Sequence, residues 1–258
     1  YEKFADIPFR TFKTDEAELR EYITNKLDLQ PAYQVLEVGG GDGRGAEHIA
    51  RRLCNNGKLY FQEISYAFLK KAHERLTAYN HLIEYSVANA CYLPFADNTF
   101  DAAHHFGGMN TFSDIPRHLR EMCRVVKPGG KIVLGDEGIA PWLRNTEFAK
   151  IMMNSNPLLR YEPPINVLPV IASQVKLEWV MMGAFYLIEL TVSDSEPVAD
   201  YHIPIPSARG GTHWTRYYGQ LEGVSDEAKK LAYQAQKASG KSMHDWLDDI
   251  IYKEAQSK

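Results

Sequence analysis

Five glycines cluster in the sequence VLEVGGGDGRG, directly after an apolar run that carries one acidic residue. Gly41, Gly43 and Ala46 fit G-x-G-x-x-A, a pattern typical of dinucleotide-binding loops. Glu37 followed by Gly39, Gly41 and Gly43 fits a second register, an acid before G-x-G-x-G. We favour the second register, because a carboxylate at Glu37 repels a pyrophosphate but attracts a cationic amino-acid ligand. No Lys-Ser or Lys-Thr pair follows the glycines, which excludes a phosphate-binding P-loop.

The stretch LEVGGGDGRG resembles the first motif of class I S-adenosylmethionine-dependent methyltransferases. Four later stretches resemble further motifs of that family in order: FQEIS, ANACYLPF, FDAAHHFGGMN and EMCRVVKPGGKIVLGDE. The resemblance covers about residues 30–192 and is strongest to the small-molecule branch, of the type 11 or quinone-methyltransferase-like kind. It implies S-adenosylmethionine as cofactor and S-adenosylhomocysteine as product. The cofactor-binding residues that it implies are Glu37, Gly39, Gly40, Gly41, Gly43, Glu63, Ile64, Asn89, Ala90, Cys91, His105 and Phe106.

Two of these positions have a specific chemical role in the resemblance. Glu63 stands where the family has an acid that accepts hydrogen bonds from the two ribose hydroxyls. An acid at this distance also occurs in dinucleotide-binding proteins, so Glu63 by itself indicates a nucleoside ligand. Asn89 stands where the family often has Asp; its carbonyl could accept from the adenine amino group and its amide could donate. Ala90 and Cys91 are then expected beside the adenine ring.

A catalytic base is optional in this chemistry, because the methyl group of a sulfonium is already electrophilic and positioning supplies much of the rate. His104 and His105 end a predicted strand, and strand alternation turns only one of them toward the cofactor. We assign His105 as the candidate base, since imidazole titrates near neutral pH. The alternative is a hydrogen-bonded structural histidine.

Several residues are candidates for binding the acceptor. Asp136 and Glu137 follow the fifth predicted strand, where they either bind a polar substrate or cap the next helix. Trp142 either lines the acceptor pocket or belongs to the core. Arg209 and His213 lie in SARGGTHWTRYYG, which is interpreted either as a lid over the acceptor or as a strap that fixes the tail. The sequence shows no metal-ligating pattern.

Alternating strands and helices predict an α/β fold: a seven-stranded, mostly parallel, doubly wound sheet with an antiparallel final hairpin. Three regions are expected. Residues 1–192 form the methyltransferase domain, with an N-terminal helix over 14–28 that Thr14 caps. Residues 193–222 form an irregular strap or lid. Residues 223–258 form a C-terminal helical hairpin, with Ser225 and Ser242 as caps and Gly240 ending its first helix.

Composition narrows the partners. The chain has 258 residues, a net charge of -4 and three cysteines. The slight acidity argues against nucleic-acid binding, which favours a basic face. Three cysteines without metal spacing indicate reduced thiols in a cytoplasmic protein, and no apolar run reaches the length of a membrane span. The hairpin is neutral, and its apolar residues suggest docking or homo-oligomerisation: Tyr233, Met243, Trp246, Leu247 and Ile250.

The sequence supports two functions. The first is methyl transfer from S-adenosylmethionine to a small-molecule acceptor at oxygen, carbon or nitrogen. The second is a cofactor-binding protein of the same fold with a non-methyltransfer, regulatory or assembly role.

Overall fold

The computed structural model describes residues 6–54, 56–207, 210–219, 221 and 224–256. The chain divides into two compact units, Tyr1–Glu196 and Pro197–Lys258. Every candidate cofactor residue lies in the first unit.

One seven-stranded sheet forms the centre of the first unit, in the order β3-β2-β1-β4-β5-β7-β6. Neighbours among β1 to β5 pair in parallel, and β7 pairs antiparallel with both β5 and β6. The predicted mixed sheet with an antiparallel final hairpin is therefore confirmed. The strands are β1 (Gln34–Val38), β2 (Lys58–Glu63), β3 (Ile83–Val87), β4 (Phe100–Phe106), β5 (Val126–Glu137), β6 (Ala172–Val180) and β7 (Phe185–Val192).

Helices cover both faces of this sheet. In the first unit they are α1 (Ile7–Thr11), α2 (Glu16–Asn25), α3 (Arg44–Ala50), α4 (Tyr66–Arg75), α5 (Ile115–Val125) and α6 (Glu147–Ser155). Val35, Ala102 and Val133 face a core that α2, α3, α4 and α6 complete. The alternate residues of the same strands, such as Leu36 and Ala103, pack against α5. Alternation along β4 consequently sends His104 and His105 to opposite faces.

The N-terminal helix is shorter than predicted. The sequence predicted residues 14–28 with Thr14 as cap, but the helix begins at Glu16 because the Asp15 side chain accepts from the backbone N–H of Glu18 at 2.9 Å. It ends at Asn25, three residues before Asp28, whose φ is 51°. The Asp15 carboxylate therefore determines where this helix begins.

The strand β5 contains a proline and two glycines, in KPGG, near its start. It begins at Val126, directly after α5. Val126 pairs with Phe100, and a register shift follows before Ala102 pairs with Lys131. The proline and the glycines lie within this irregular part of the strand, where Gly129 has a φ of 83°.

The second unit contains three helices within its described residues: α7 (His213–Tyr218), α8 (Asp226–Ser239) and α9 (Met243–Gln256). Helix α7 lies in the stretch that was predicted to be irregular. Ser225 caps α8, Gly240 ends it at φ 67°, and Ser242 accepts from the backbone N–H of Asp245, as predicted.

Among the described residues, no helix is both long and apolar enough to cross a membrane. Cys54, Cys91 and Cys123 are free thiols. The cytoplasmic location inferred from the cysteines stays a prediction.

Candidate functional site

The glycine loop follows β1 and leaves one side of its backbone open. Gly39, Gly41 and Gly43 have φ of 60°, 58° and 85°, a region that side chains rarely adopt. A Cβ on Gly40 would stand 2.2 Å from the Phe61 ring, so this residue packs directly on β2. A Cβ on Gly41 would meet no atom within 4 Å. The loop therefore combines a packed side with an accessible one.

Side chains at the end of β2 hold this loop. Gln62 Oε1 accepts from the N–H of Gly39 at 3.1 Å, and Glu63 Oε2 accepts from the N–H of Gly41 at 2.9 Å. The other Glu63 oxygen accepts from the N–H of Ser65 at 2.9 Å. Each carboxylate oxygen keeps one acceptor site for a hydroxyl. Sequence reasoning missed Gln62, although an amide directly before the acid was the available signal.

Glu37 and His104 form a buried pair opposite each other on β1 and β4. Their side chains are 4% and 3% exposed, and His104 Nδ1 lies 3.6 Å from Glu37 Oε1. Glu37 Oε2 and both ring nitrogens of His104 are buried without a hydrogen-bond partner among the described residues. An unmet carboxylate oxygen is costly in the interior, and a cationic donor would relieve that cost.

His105, the candidate base, lies on the other face of β4. Its Nδ1 donates to Val38 O at 2.8 Å, since a carbonyl can only accept. The lone pair of Nε2 therefore stays free, in a buried position without a partner in the described structure. Burial lowers the pKa of His105, which keeps the ring neutral. Neutral imidazole is the form that a base requires, but the catalytic role of this ring stays a prediction.

The turn after β3 contains the candidate adenine-binding residues. Asn89 is exposed, and its Oδ1 accepts from the N–H of Cys91 at 2.9 Å, which leaves its amide N–H groups for a ligand. Ala90 and Cys91 are buried. His118 on α5 donates from Nδ1 to Ala90 O at 3.1 Å. Sequence reasoning missed His118, because only the packing of α5 brings it to this turn.

Ile64 and Phe106 complete the predicted cofactor set. Ile64 follows Glu63 and is exposed. Phe106 ends β4 half-buried, and its ring centroid lies 6.0 Å from that of Phe185.

Asp136 has a structural partner set. Its Oδ1 accepts from the N–H groups of Gly108 (3.1 Å) and Glu137 (2.8 Å), and its Oδ2 accepts from the N–H of Asn110 (2.6 Å). Asp136 therefore fixes the loop after β4 to β5, as a capping carboxylate does. Glu137 accepts from Asn156 Nδ2 at 2.9 Å, and burial raises its pKa. The substrate role of both acids stays a prediction.

The remaining candidates do not form one cluster. Trp142 is 67% exposed, and its ring meets Trp179 edge-on at a centroid distance of 5.9 Å. His213 begins α7 in the second unit. Together with Tyr201, Trp214 and other residues of that unit, it lines a cavity of about 780 Å³. Arg209 lies outside the described residues. Within the described ranges, no three His, Cys, Asp or Glu side chains are arranged to hold a metal ion.

Parts of this chain are similar in sequence to known proteins. A family model described as a methyltransferase domain matches residues 36–134. The ubiquinone/menaquinone biosynthesis C-methyltransferase UbiE of Laribacter hongkongensis is 29% identical over 115 residues, which are 45% of this chain and 47% of that protein. The chain spans less than half the length of the curated relatives it matches.

Two solved structures share the fold. The Haemonchus contortus phosphoethanolamine N-methyltransferase 2, in complex with S-adenosyl-L-methionine, superposes with a TM-score of 0.58 at 13% identity, covering 74% of this chain and 60% of that one. The CurJ carbon methyltransferase gives a TM-score of 0.54 at 19% identity, covering 69% and 54%. With the sheet order, these two structures show that the chain shares the fold of solved methyltransferases, and residues 36–134 match a methyltransferase domain.

Proposed function

We propose that this chain transfers a methyl group from S-adenosylmethionine to a small-molecule acceptor. The observation that carries the proposal is a buried carboxylate oxygen of Glu37, for which the described residues supply no hydrogen-bond partner, at the start of an open glycine loop that Glu63 holds. These features suit one extended ligand that offers a positively charged amino group to Glu37 and a nucleoside diol to Glu63. The rest of such a ligand could approach the open backbone of the glycine loop.

The chain's own groups have distinct parts in this proposal. Glu37 binds the amino group of the cofactor, Glu63 the ribose hydroxyls, and Asn89 the adenine. Ala90, Cys91 and Ile64 offer apolar surface to the ring. When bound, the cofactor supplies an electrophilic methyl group on a positively charged sulfur. The protein holds the acceptor in line with that group and excludes water, which is a matter of positioning.

The curated relatives support a ring-shaped acceptor of the quinone type. The names of the relatives describe C-methyltransferases of ubiquinone and menaquinone biosynthesis. We therefore propose a quinone precursor as the first acceptor to test, with an activated ring carbon as the methylated atom.

Calorimetry with S-adenosylmethionine and S-adenosylhomocysteine tests the cofactor. We expect micromolar dissociation constants, and a loss of about 10- to 100-fold in Glu63→Ala, since hydrogen bonds to a charged group are involved. Glu47→Ala on α3 is the matched control, because Glu47 pairs only with Arg51 among the described residues and lies outside the predicted site. The proposal fails if the wild type binds neither ligand at millimolar concentration.

Transfer of a labelled methyl group to a panel of demethylated quinones, phenols and amines tests the reaction. Label in a quinone product supports the acceptor class. Tight cofactor binding without transfer to any acceptor would favour the non-methyltransfer role instead.

A further inference from the structure

The second unit contains a cavity whose walls come from two short stretches, residues 199–203 and 213–218. Its volume is about 780 Å³, and small-molecule sites usually measure about 300–1000 Å³. Every lining residue belongs to the second unit, so the cavity includes no residue of the predicted cofactor site. It is therefore a candidate site for a second ligand.

Backbone bonds and packing hold the two walls of the cavity in place. The backbone N–H of Trp214 donates to Tyr201 O at 3.0 Å, which ties one wall to the other. Helix α7, the second wall, begins at a capping box. At its end, Gly219 has no room for a Cβ beside the buried Met243, so α7 packs closely on α9. Walls that are already ordered reduce the entropy that a ligand loses on binding.

Aromatic rings make up much of the lining, and all four of them are exposed: Tyr201, Trp214, Tyr217 and Tyr218. The ring centroids of Trp214 and Tyr218 are 4.4 Å apart, and Tyr217 meets Tyr218 nearly edge-on at 4.9 Å. Elsewhere the chain places its own cations over rings, as Arg117 does over Tyr92 at 3.8 Å. Within the described ranges no lysine or arginine lies over a ring of this cavity. Its aromatic surface is thus available to a cationic ligand.

The charge of the lining also favours a cation. Of the described residues that line the cavity, Asp200 is the only carboxylate, and no lysine or arginine accompanies it. Asp200 Oδ1 accepts from the backbone N–H of His202 at 2.9 Å, and no ion-pair partner of Asp200 occurs in the described structure. Arg216 on α7 instead donates to Gly210 O at 3.0 Å and to Ser207 Oγ at 2.7 Å. An unpaired carboxylate attracts cations and repels anions.

We propose that this cavity binds a small organic cation with a methylated ammonium head and an apolar body. Methyl groups cover the positive charge with apolar surface, so such a head is weakly hydrated and packs well against aromatic rings. Asp200 supplies the counter-charge. The body fills the remaining volume, because an ammonium head alone is much smaller than this cavity. The inference goes beyond the proposed methyl transfer and does not depend on it.

The test compares two molecules of the same shape that differ in charge. The para-hydroxyphenyltrimethylammonium ion carries the proposed head, and para-tert-butylphenol carries a neutral tert-butyl group in its place. Calorimetry on the full chain should give a Kd of about 1 mM for the cation and binding about 3- to 30-fold weaker for the neutral molecule. Trp214→Leu should weaken binding of the cation by a similar factor. Asp200→Asn should weaken it by about 2- to 5-fold, since an exposed charge is screened, and leave the neutral molecule unaffected.

Trp142→Leu and Asp194→Asn are the matched controls, because they change an exposed tryptophan and an exposed carboxylate outside the cavity. Both should leave the affinity for the cation unchanged. Equal binding of the two molecules would overturn the inference, since it would reveal an apolar pocket without a preference for charge. No binding of the cation at tenfold the expected Kd, or equal weakening by Trp142→Leu, would overturn it as well. Asp200→Asn carries the comparison alone if Trp214→Leu does not fold, and S-adenosylhomocysteine binding, measured in parallel, tests the proposed function separately.

Discussion

At the scale of single residues, burial decides what the histidines beside the site can do. His104, His105 and His118 are each at most 3% exposed, and each keeps a ring nitrogen without a partner in the described structure. Burial lowers the pKa of His105, and burial together with the neighbouring His105 lowers the pKa of His118 to about 3. The rings of His105 and His118 are therefore neutral at physiological pH, which makes the fold sensitive to acid.

We predict that His118 makes the fold less stable as the pH falls below the ordinary histidine pKa. The unfolded chain takes up a proton near pH 6.5, but the folded chain does so only near 3, so acid favours unfolding between these values. Between pH 7.5 and 5.5 this ring should cost about 1.4 kcal/mol of unfolding free energy.

Urea unfolding of the wild type and of His118→Asn at both pH values measures that difference. The asparagine amide can still donate to Ala90 O, and the other histidines are common to both proteins. An equal loss of stability in the two proteins would contradict the prediction.

Individual site residues were predictable only where local sequence carries them. Glu37 and Glu63 follow from the spacing of acids and glycines at strand ends. His118 has no such signal, because it lies in a helix after β4. Only the docking of α5 on the sheet brings it to the site.

At the scale of elements, the glycine loop separates packing from access. Gly40 is buried against β2, whereas Gly41 faces open space with its N–H on Glu63. A side chain would therefore have a different effect at each of these two adjacent positions: at Gly40 it would disturb packing, and at Gly41 it would fill the open side of the loop.

We predict opposite phenotypes for Gly40→Ala and Gly41→Ala. The first should lower the free energy of unfolding by more than about 2 kcal/mol, because its Cβ would collide with the Phe61 ring. The second should cost about 1–2 kcal/mol from its left-handed backbone but weaken S-adenosylhomocysteine binding at least tenfold, since its methyl group enters the open side.

Gly129→Ala is the control that separates the effect of backbone strain from the effect of a methyl group that blocks the ligand. Gly129 also has a positive φ, 83°, and open space around it, but it lies in β5 outside the predicted cofactor site. Its substitution should change stability like Gly41→Ala and leave binding unaffected. Weakened binding in Gly129→Ala would assign the Gly41 effect to strain alone.

The sheet was predictable because alternating apolar strands and helices indicate it directly, whereas the ends of elements depend on local competition. Helix α2 starts at Glu16 because its N-cap is Asp15 and not Thr14, the cap that the sequence predicted. Helix α7 begins with a capping box between Thr212 and Thr215. The sequence contains this T-x-x-T spacing, but the arginines, aromatic residues and glycines around it led to the prediction of irregular structure.

At the scale of the whole molecule, the second unit keeps an apolar surface. Of the five residues predicted to form the apolar face of the hairpin, Met243 is fully buried and cannot contact a partner. Leu231, Ile251 and Tyr252 are instead strongly exposed. Exposed apolar side chains are typical of interaction surfaces where they form one contiguous patch.

We predict that the chain forms a homo-oligomer through α8 and α9. Light scattering should give at least a dimeric mass at micromolar concentration, and the double variant Leu231→Glu with Ile251→Glu should be monomeric because charges oppose burial of this face. Lys230→Glu is the control, since it changes the charge at an exposed polar position of α8. A monomeric wild type would refute the prediction.

The hydrogen bonds of the loop after β4 have an evolutionary consequence. Residues 107–111 bond to the backbone of Gly108 and to Gly135, Asp136 and Glu137. Residues 141–169 contribute none of these bonds, although Asn156 donates to the Glu137 side chain and Ala149 and Leu159 belong to the core. Substitutions at the exposed positions of that stretch would leave the bonds of the loop in place, so a lineage could vary this outer surface while the loop after β4 is inherited intact.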